Sequence, residues 1–400
     1  MSNTRPRVGV GLAELQIHTV PNDDLITTRS RPRPLRVALV APSIGILGGQ
    51  AVQADRLLGA WKGDRDVEAW LVPINPTPPE WLRGAVEVKY LRTLVTQLCY
   101  WPSLLRELRH ADVVHVFSAS YFSFLLAPLP AVLVAKLLGK PVVMNYRSGQ
   151  APDHLRRSAI ARATLRWVER NAVPSRFLQE VFAAHGIDSQ VIPNIVDVDR
   201  FQFRPRMPLR PNILSTRNFE ELYNVSCTLR AFRLVQDRHP DATLTLVGAG
   251  SEDERLRGLA RELGLANVRF AGRVAPEQIW QYYRDADIYL QTPDIDNMPS
   301  SVLEAFASGC AVVSTNAGGV PAILTDNVHG LLVECGDHRA AAERMLRLLD
   351  DPALVHRLTT AARESCAEYQ WQVVRSRWLA LYDSMVTPRG TLSEPTASAV

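Results

Sequence analysis

The sequence predicts an α/β protein built from two sheets of mostly parallel strands, each covered by helices on both faces. Short β-branched runs alternate with segments of helical period along nearly the whole chain. The alternation falls into two series, over 36–205 and 206–369, joined near Asn194–Arg210. With 400 residues, 46% hydrophobic and 22% charged, the chain is long enough for two ordinary domains with cores of their own.

Taken in order, residues 1–35 are polar, carry the run Arg29-Ser30-Arg31-Pro32-Arg33-Pro34 and lack the apolar segment of a signal peptide, which predicts a flexible tail. Strands are expected at Arg36–Ala41, Glu68–Val72, Asp112–Phe117, Pro141–Asn145 and Gln190–Pro193. The first is followed by Gly45-Ile46-Leu47-Gly48-Gly49-Gln50 and an apolar helix ending at Trp61. Glycines at such a turn let a ligand approach the backbone, but the spacing is not that of a dinucleotide fingerprint.

Tyr90–Leu105 has the apolar content of a core helix, with aromatics that equally suit an exposed patch. A helix over Arg156–Arg170 would align Arg162, Arg166 and Arg170 on one stripe opposite Ile160 and Trp167. A solvated face and a surface for anionic headgroups or an acidic acceptor both fit that stripe.

The second series predicts strands at Asn212–Ser215, Ala242–Val247, Val268–Ala271, Ile288–Gln291 and Ala311–Ser314, with helices at Val225–Arg238, Glu252–Leu263 and Pro276–Tyr283. Between its last two strands lie a polar loop, Thr292–Met298, and a helix opening at Pro299 and stopping at Ser308-Gly309. Proline suits a first turn, and Asp296 or Asn297 could cap it. The amino end of that helix is then an anion site, and the carboxylates of Asp296 and Glu304 beside it suggest hydroxyl recognition. The segment from Trp371 to Tyr382 has helical period and aromatic anchors, and residues 389–400 look disordered.

Composition narrows the class. The five cysteines are scattered without a C-x-x-C pair, which favours a reducing compartment and disfavours a zinc site. Residues 36–205 hold 20 basic against 14 acidic side chains, and residues 206–400 hold 20 against 24. This asymmetry is too weak for a nucleic-acid binder and is unaccompanied by any nucleic-acid-binding motif. An anionic membrane surface or acceptor is the better match. The longest apolar run, Tyr121–Ala135, is too short to span a bilayer and contains Pro128 and Pro130.

Three stretches together carry a resemblance: Asp296 and Glu304 eight apart, the run Leu303–Gly309 followed by Asn316–Pro321, and the segment Val173–Phe201. They resemble the retaining GT-B glycosyltransferases of family 4, over about residues 36–388. The resemblance implies two Rossmann-like domains facing across a cleft, the first completed by a C-terminal helix over 370–388. It implies transfer of a sugar, with retention and without a metal or cofactor, from a UDP- or GDP-linked donor to a hydroxyl of a glycan or lipid-linked glycan. It places Gly48 and Gly49 against donor and acceptor, Arg217 on the diphosphate, and Arg273 and Val274 at the base. Glu304 would receive the ribose hydroxyls, while Asp296 and the amides of Ser300 and Ser301 would hold the sugar and distal phosphate. The scattered cysteines, the amino end without an apolar segment and the basic first series suggest a cytoplasmic setting, with peripheral contact at the inner face of an anionic membrane.

The chain departs from the family pattern at three places. Asp296 replaces a glutamate. Arg147 stands where the family commonly has a histidine near the reacting sugar, and Tyr223-Asn224 where a Lys-Gly pair usually adds a phosphate contact. With that cation missing, Arg147 is read as its substitute across the cleft, making Arg147, Asp296 and Glu304 the candidate catalytic set; a blocking role for Arg147 is the alternative. A catalytically silent subunit and a nucleotide-sugar epimerase share the fold and remain rival readings. The triplets Asp197-Val198-Asp199 and Asp285-Ala286-Asp287 mimic the metal-binding D-x-D of the other glycosyltransferase fold, but are read as linker and capping residues.

Overall fold

The computed structural model describes residues 33–43, 49–81 and 89–386; the expected C-terminal tail, nearly all of the N-terminal one and Gly48 lie outside them. The described residues form two six-stranded sheets. The first contains β1 (Leu35–Ala41), β2 (Val67–Pro73), β3 (Val113–Ser118), β4 (Val142–Tyr146), β5 (Arg170–Val173) and β6 (Gln190–Val191), in the order β2-β1-β3-β4-β5-β6. The second contains β7 (Asn212–Ser215), β8 (Thr243–Val247), β9 (Val268–Gly272), β10 (Ile288–Gln291), β11 (Ala311–Thr315) and β12 (Leu331–Val333), in the order β12-β11-β10-β7-β8-β9. Every pairing is parallel.

Parallel sheets are covered on both faces, so their central strands are largely apolar on both sides. Along β1, Leu35, Val37, Leu39 and Ala41 enter one core while Ala38 and Val40 enter the other. In β10, Ile288 and Leu290 face one core and Tyr289 the opposite one. The strand order turns back between β1 and β3 and again between β7 and β10. In open sheets of this kind the crevice beyond the carboxyl ends at such a point is where ligands bind.

The last helix, Trp371–Val386, returns to the first sheet. Its Val374, Trp378, Leu381 and Tyr382 share a core with Val37, Leu39 and Trp61. The Trp371 ring meets Trp61 edge-on with centroids 4.7 Å apart, and Arg375 donates to Asp64 and Asp66, each at 2.6 Å.

Two expectations are corrected here. The helix expected over Arg156–Arg170 is broken at Ser158 into Ala151–Arg157 and Ala159–Trp167, and Arg170 opens β5. Ser158 is extended, and its hydroxyl accepts from the Ala161 amide at 3.1 Å, which restarts the helix on a new axis. Arg162 donates to the carbonyls of Leu155 and Arg156, and Arg166 to that of His185 at 2.6 Å. The arginine stripe therefore does not form. Ile160 and Trp167, expected opposite the arginines, are 52% and 51% exposed, while Ala161 and Leu165 are buried.

Asp287 is likewise no capping residue. It is fully buried, accepting from Arg204 at 2.6 Å and from the Arg210 side chain at 3.0 Å, and it ties the interdomain linker to the second sheet. Among the described residues no three His, Cys, Asp or Glu side chains gather in a metal-binding cluster.

Candidate functional site

The helix after β10 runs Ser300–Ser308 and stops at Gly309, whose φ of 79° ends it in the left-handed region. At its other end Pro299 occupies the cap position and no side chain caps the turn. The capping role expected of Asp296 or Asn297 is thus not taken up. Asp296 Oδ1 instead accepts from the Asn297 amide at 2.8 Å, and Asn297 faces Ser175 of the first domain. An uncapped helix start with its dipole directed outward is an anion site.

The loop bearing Asp296 is pinned from behind by the turn after β11. A Cβ on Gly318 would stand 2.2 Å from the Asp296 carbonyl oxygen, and one on Gly319 2.0 Å from that of Asn297. Glycine at both positions lets the two backbones touch.

This helix start borders a cleft of about 560 Å³ lined by both domains. From the carboxyl end of β7 comes Arg217, which donates to Asp296 Oδ2 at 2.5 Å and to Ser301 Oγ at 3.3 Å. Its guanidinium lies 4.1 Å from the ring centroid of Tyr223. Burial works against the Arg217 charge, but the Asp296 carboxylate and the neighbouring Tyr223, Tyr289 and Tyr283 outweigh it and raise its pKa. Its Nε–H is buried with no partner. A locked, fully charged fork at the wall of the cleft suits a phosphate oxygen.

The first domain supplies the facing wall. Gly49 opens the helix Gly49–Trp61, from which Gln53 donates to Ser300 Oγ at 2.8 Å and Arg56 to Glu304 Oε1 at 2.5 Å. Asn194 donates to the Met298 carbonyl at 2.8 Å. From the end of β4, Arg147 lines the cleft with its guanidinium 5.6 Å from the Phe117 ring centroid, and burial lowers its pKa to about 10, still charged at neutral pH. Among the described residues no carboxylate pairs with it.

The structure brings Gly49, Arg147, Arg217, Arg273, Val274, Asp296, Ser300, Ser301 and Glu304 to this one cleft. Sequence reasoning missed Gln53 and Arg56, which meet the Ser300 helix turn for turn, and missed that Tyr223 carries the Arg217 guanidinium. A signal for the first pair was available: polar residues three apart on the otherwise apolar inner face of the first helix, where Gln53 is nearly fully buried.

Comparison with known proteins agrees across nearly the whole chain. The family described as glycosyl transferases group 1 matches residues 199–365, and that described as glycosyltransferase family 4 matches residues 47–200. Phosphatidyl-myo-inositol mannosyltransferase of Mycobacterium leprae is 26% identical over 376 residues, covering 88% of this chain and 98% of that protein. The sulfoquinovosyl transferase SQD2 of Arabidopsis thaliana is 24% identical, covering 92% and 78%. Among solved structures, Anabaena HepE in complex with UDP and glucose superposes with a TM-score of 0.67 at 16% identity, covering 88% of this chain and 100% of that one. Sucrose-phosphate synthase from Thermosynechococcus elongatus does so at 0.69 and 19%, covering 88% and 98%.

Proposed function

Because the chain belongs to the GT-B glycosyltransferases of group 1, family 4, we propose that it transfers a sugar, with retention and without a metal, from a UDP- or GDP-linked donor to a hydroxyl of a glycan or lipid-linked glycan. One observation carries the reading. Arg217, the uncapped helix start at Ser300 and Ser301, and the carboxylates of Asp296 and Glu304 converge on one cleft, with the cation Arg147 facing them from the other domain.

In this reading Arg217 and the amides of Ser300 and Ser301 take the diphosphate, and their donors lie where negative charge grows as the bond to the sugar breaks. Glu304 receives ribose hydroxyls, Arg273 and Val274 border the base, and Asp296 holds the sugar. The acceptor oxygen bonds to the anomeric carbon on the face the diphosphate leaves. Its proton passes to the departing phosphate oxygen, so no side chain has to act as nucleophile. Arg147 offsets charge that a second phosphate cation would otherwise meet.

Incubation with UDP-glucose, UDP-galactose, UDP-N-acetylglucosamine and GDP-mannose, followed by nucleotide release, identifies the donor. Proton NMR of the product then reads the anomeric configuration. An inverted product removes the retaining assignment, and a rate abolished by EDTA removes metal independence. Glu304→Gln is expected to weaken donor binding by about 1–3 kcal/mol, the cost of losing a charged hydrogen-bond partner. Unchanged affinity by calorimetry in the folded variant shows that Glu304 does not hold the ribose.

The membrane reading moves from the arginine stripe to another element. The helix Lys89–Leu108 buries Val95, Tyr100, Leu104 and Leu108 but exposes Leu91, Leu94, Leu98, Trp101 and Leu105 in a second stripe, with Arg92 and Arg106 exposed nearby. No helix among the described residues is long and apolar enough to cross a membrane. An apolar stripe flanked by arginines fits a helix lying in the surface of an anionic leaflet. Sedimentation with vesicles is expected to rise with phosphatidylglycerol content and fall with salt, because exposed charges are screened beyond about 10 Å at 0.1 M. Leu98→Glu should abolish it, and equal binding by that variant would refute the surface.

A further inference from the structure

Both groups that hold the Arg147 guanidinium lead back to one buried residue. Arg147 Nη1 donates to Asn145 Oδ1 at 3.3 Å, and the guanidinium lies over the Phe117 ring. Asn145 Nδ2 stands 3.0 Å from His115 Nε2, and the His115 ring stacks on Phe117 with centroids 5.1 Å apart and planes 11° from parallel. His115 is held in turn by the last helix: its Nδ1 lies 2.7 Å from Tyr382 Oη and its ring 4.5 Å from Trp378. His115 is fully buried and Asn145 nearly so.

Donor and acceptor rules set the direction of this chain of bonds. A guanidinium only donates, so the Asn145 carbonyl must face Arg147 and its NH₂ must face His115. His115 Nε2 must then accept, which leaves the proton on Nδ1 to be donated to Tyr382. The reverse tautomer, or a doubly protonated ring, would turn the amide over and set its NH₂ against the guanidinium. Burial and the nearby Arg147 charge lower the His115 pKa to about 3, which keeps the ring neutral.

We propose that His115, set in its Nδ1–H tautomer by the Asn145 amide and held in place by Tyr382 and Trp378, is a positioning residue that acts through Asn145 and Phe117 to aim Arg147 into the cleft. The proposal rests on the charge-stabilising role assigned to Arg147 above. It makes the C-terminal helix, remote from the donor in sequence, part of the support of the reacting centre.

The test is a double-mutant cycle on the full chain, using the donor identified by the panel. His115→Leu is expected to lower kcat about tenfold or more with donor KM little changed, the pattern of a misaimed group. His115→Gln, which keeps an acceptor toward Asn145, should recover part of that loss. In an Arg147→Ala background, His115→Leu should have no further effect on kcat. Equal losses in both backgrounds would mean that His115 only supports the fold, overturning the inference while leaving the role of Arg147 intact. An Arg147→Ala variant with unchanged kcat would overturn that role and the inference with it. Should His115→Leu fail to fold, ¹⁵N-histidine NMR of the unmodified protein decides, since a proton on Nε2 of His115 contradicts the chain of bonds.

Discussion

Replacing Arg217 by methionine is expected to weaken UDP and GDP binding by about 3–5 kcal/mol, more than a hundredfold, and to lower the melting temperature as well. The binding loss is the cost of truncating one partner of a buried charged hydrogen bond, here from Arg217 to the diphosphate, whereas the melting temperature falls because breaking a buried ion pair from one side leaves the remaining charge uncompensated. Arg217 and Asp296 have side chains only 10% and 12% exposed and sit 2.5 Å apart, so Asp296 would be left stranded. A second variant separates the two losses. In Arg217→Met combined with Asp296→Asn neither charge remains, so the melting temperature should recover most of the way while nucleotide binding does not. Arg217→Lys should fall between, because an ammonium keeps the charge but loses the fork and the stacking on Tyr223. Isothermal calorimetry and thermal denaturation read the two effects, and nucleotide affinity within twofold of the unmodified protein in Arg217→Met would remove Arg217 from the donor site.

For Arg147→Ala the expected result is of another kind: kcat falls about a hundredfold while the donor dissociation constant changes by less than about threefold. An interaction made only as charge develops acts on turnover and not on ground-state binding. The position supports this split, since Arg147 reaches the cleft from the first domain, whereas Arg217, Asp296 and Glu304 all belong to the second. Losing affinity and turnover by the same factor would make Arg147 a binding residue. A gain in activity on Arg147→His would show instead that the long guanidinium obstructs the sugar.

The α/β architecture was legible because strands buried on both faces leave short apolar runs, such as residues 37–41 in β1 and 311–313 in β11. Where that signal is absent the reading failed. β5 begins Arg170-Asn171 and spans four residues, too short and polar at its start to stand out from the helical period before it. Ser158 did carry a cap signal, but the regular arginine spacing ran straight across it and suggested one helix instead of two.

In the site, Asp296 and Glu304 stood out in sequence beside an expected helix start, and Arg217 and Ser300 were named through the family resemblance; the structure brings all four to one cleft. The pairing of Arg56 with Glu304 spans 248 residues and exists only because two domains meet. Nothing local to either residue encodes it. The tautomer of His115 was equally out of reach, since it depends on what β4 and the last helix present to one ring in β3.

The return of the last helix to the first sheet bears on the order in which the protein can be made. Domains emerging from a ribosome usually fold in turn, the amino-terminal one first. Here the first domain is still missing a wall when its own strands are complete, because Trp378 and Tyr382 are synthesised only after the whole second domain. Until then Trp61, Val37 and Leu39 lie on an open face. A fragment ending near residue 205 should therefore be aggregation-prone, and a peptide spanning Trp371–Val386 supplied in trans should restore its solubility.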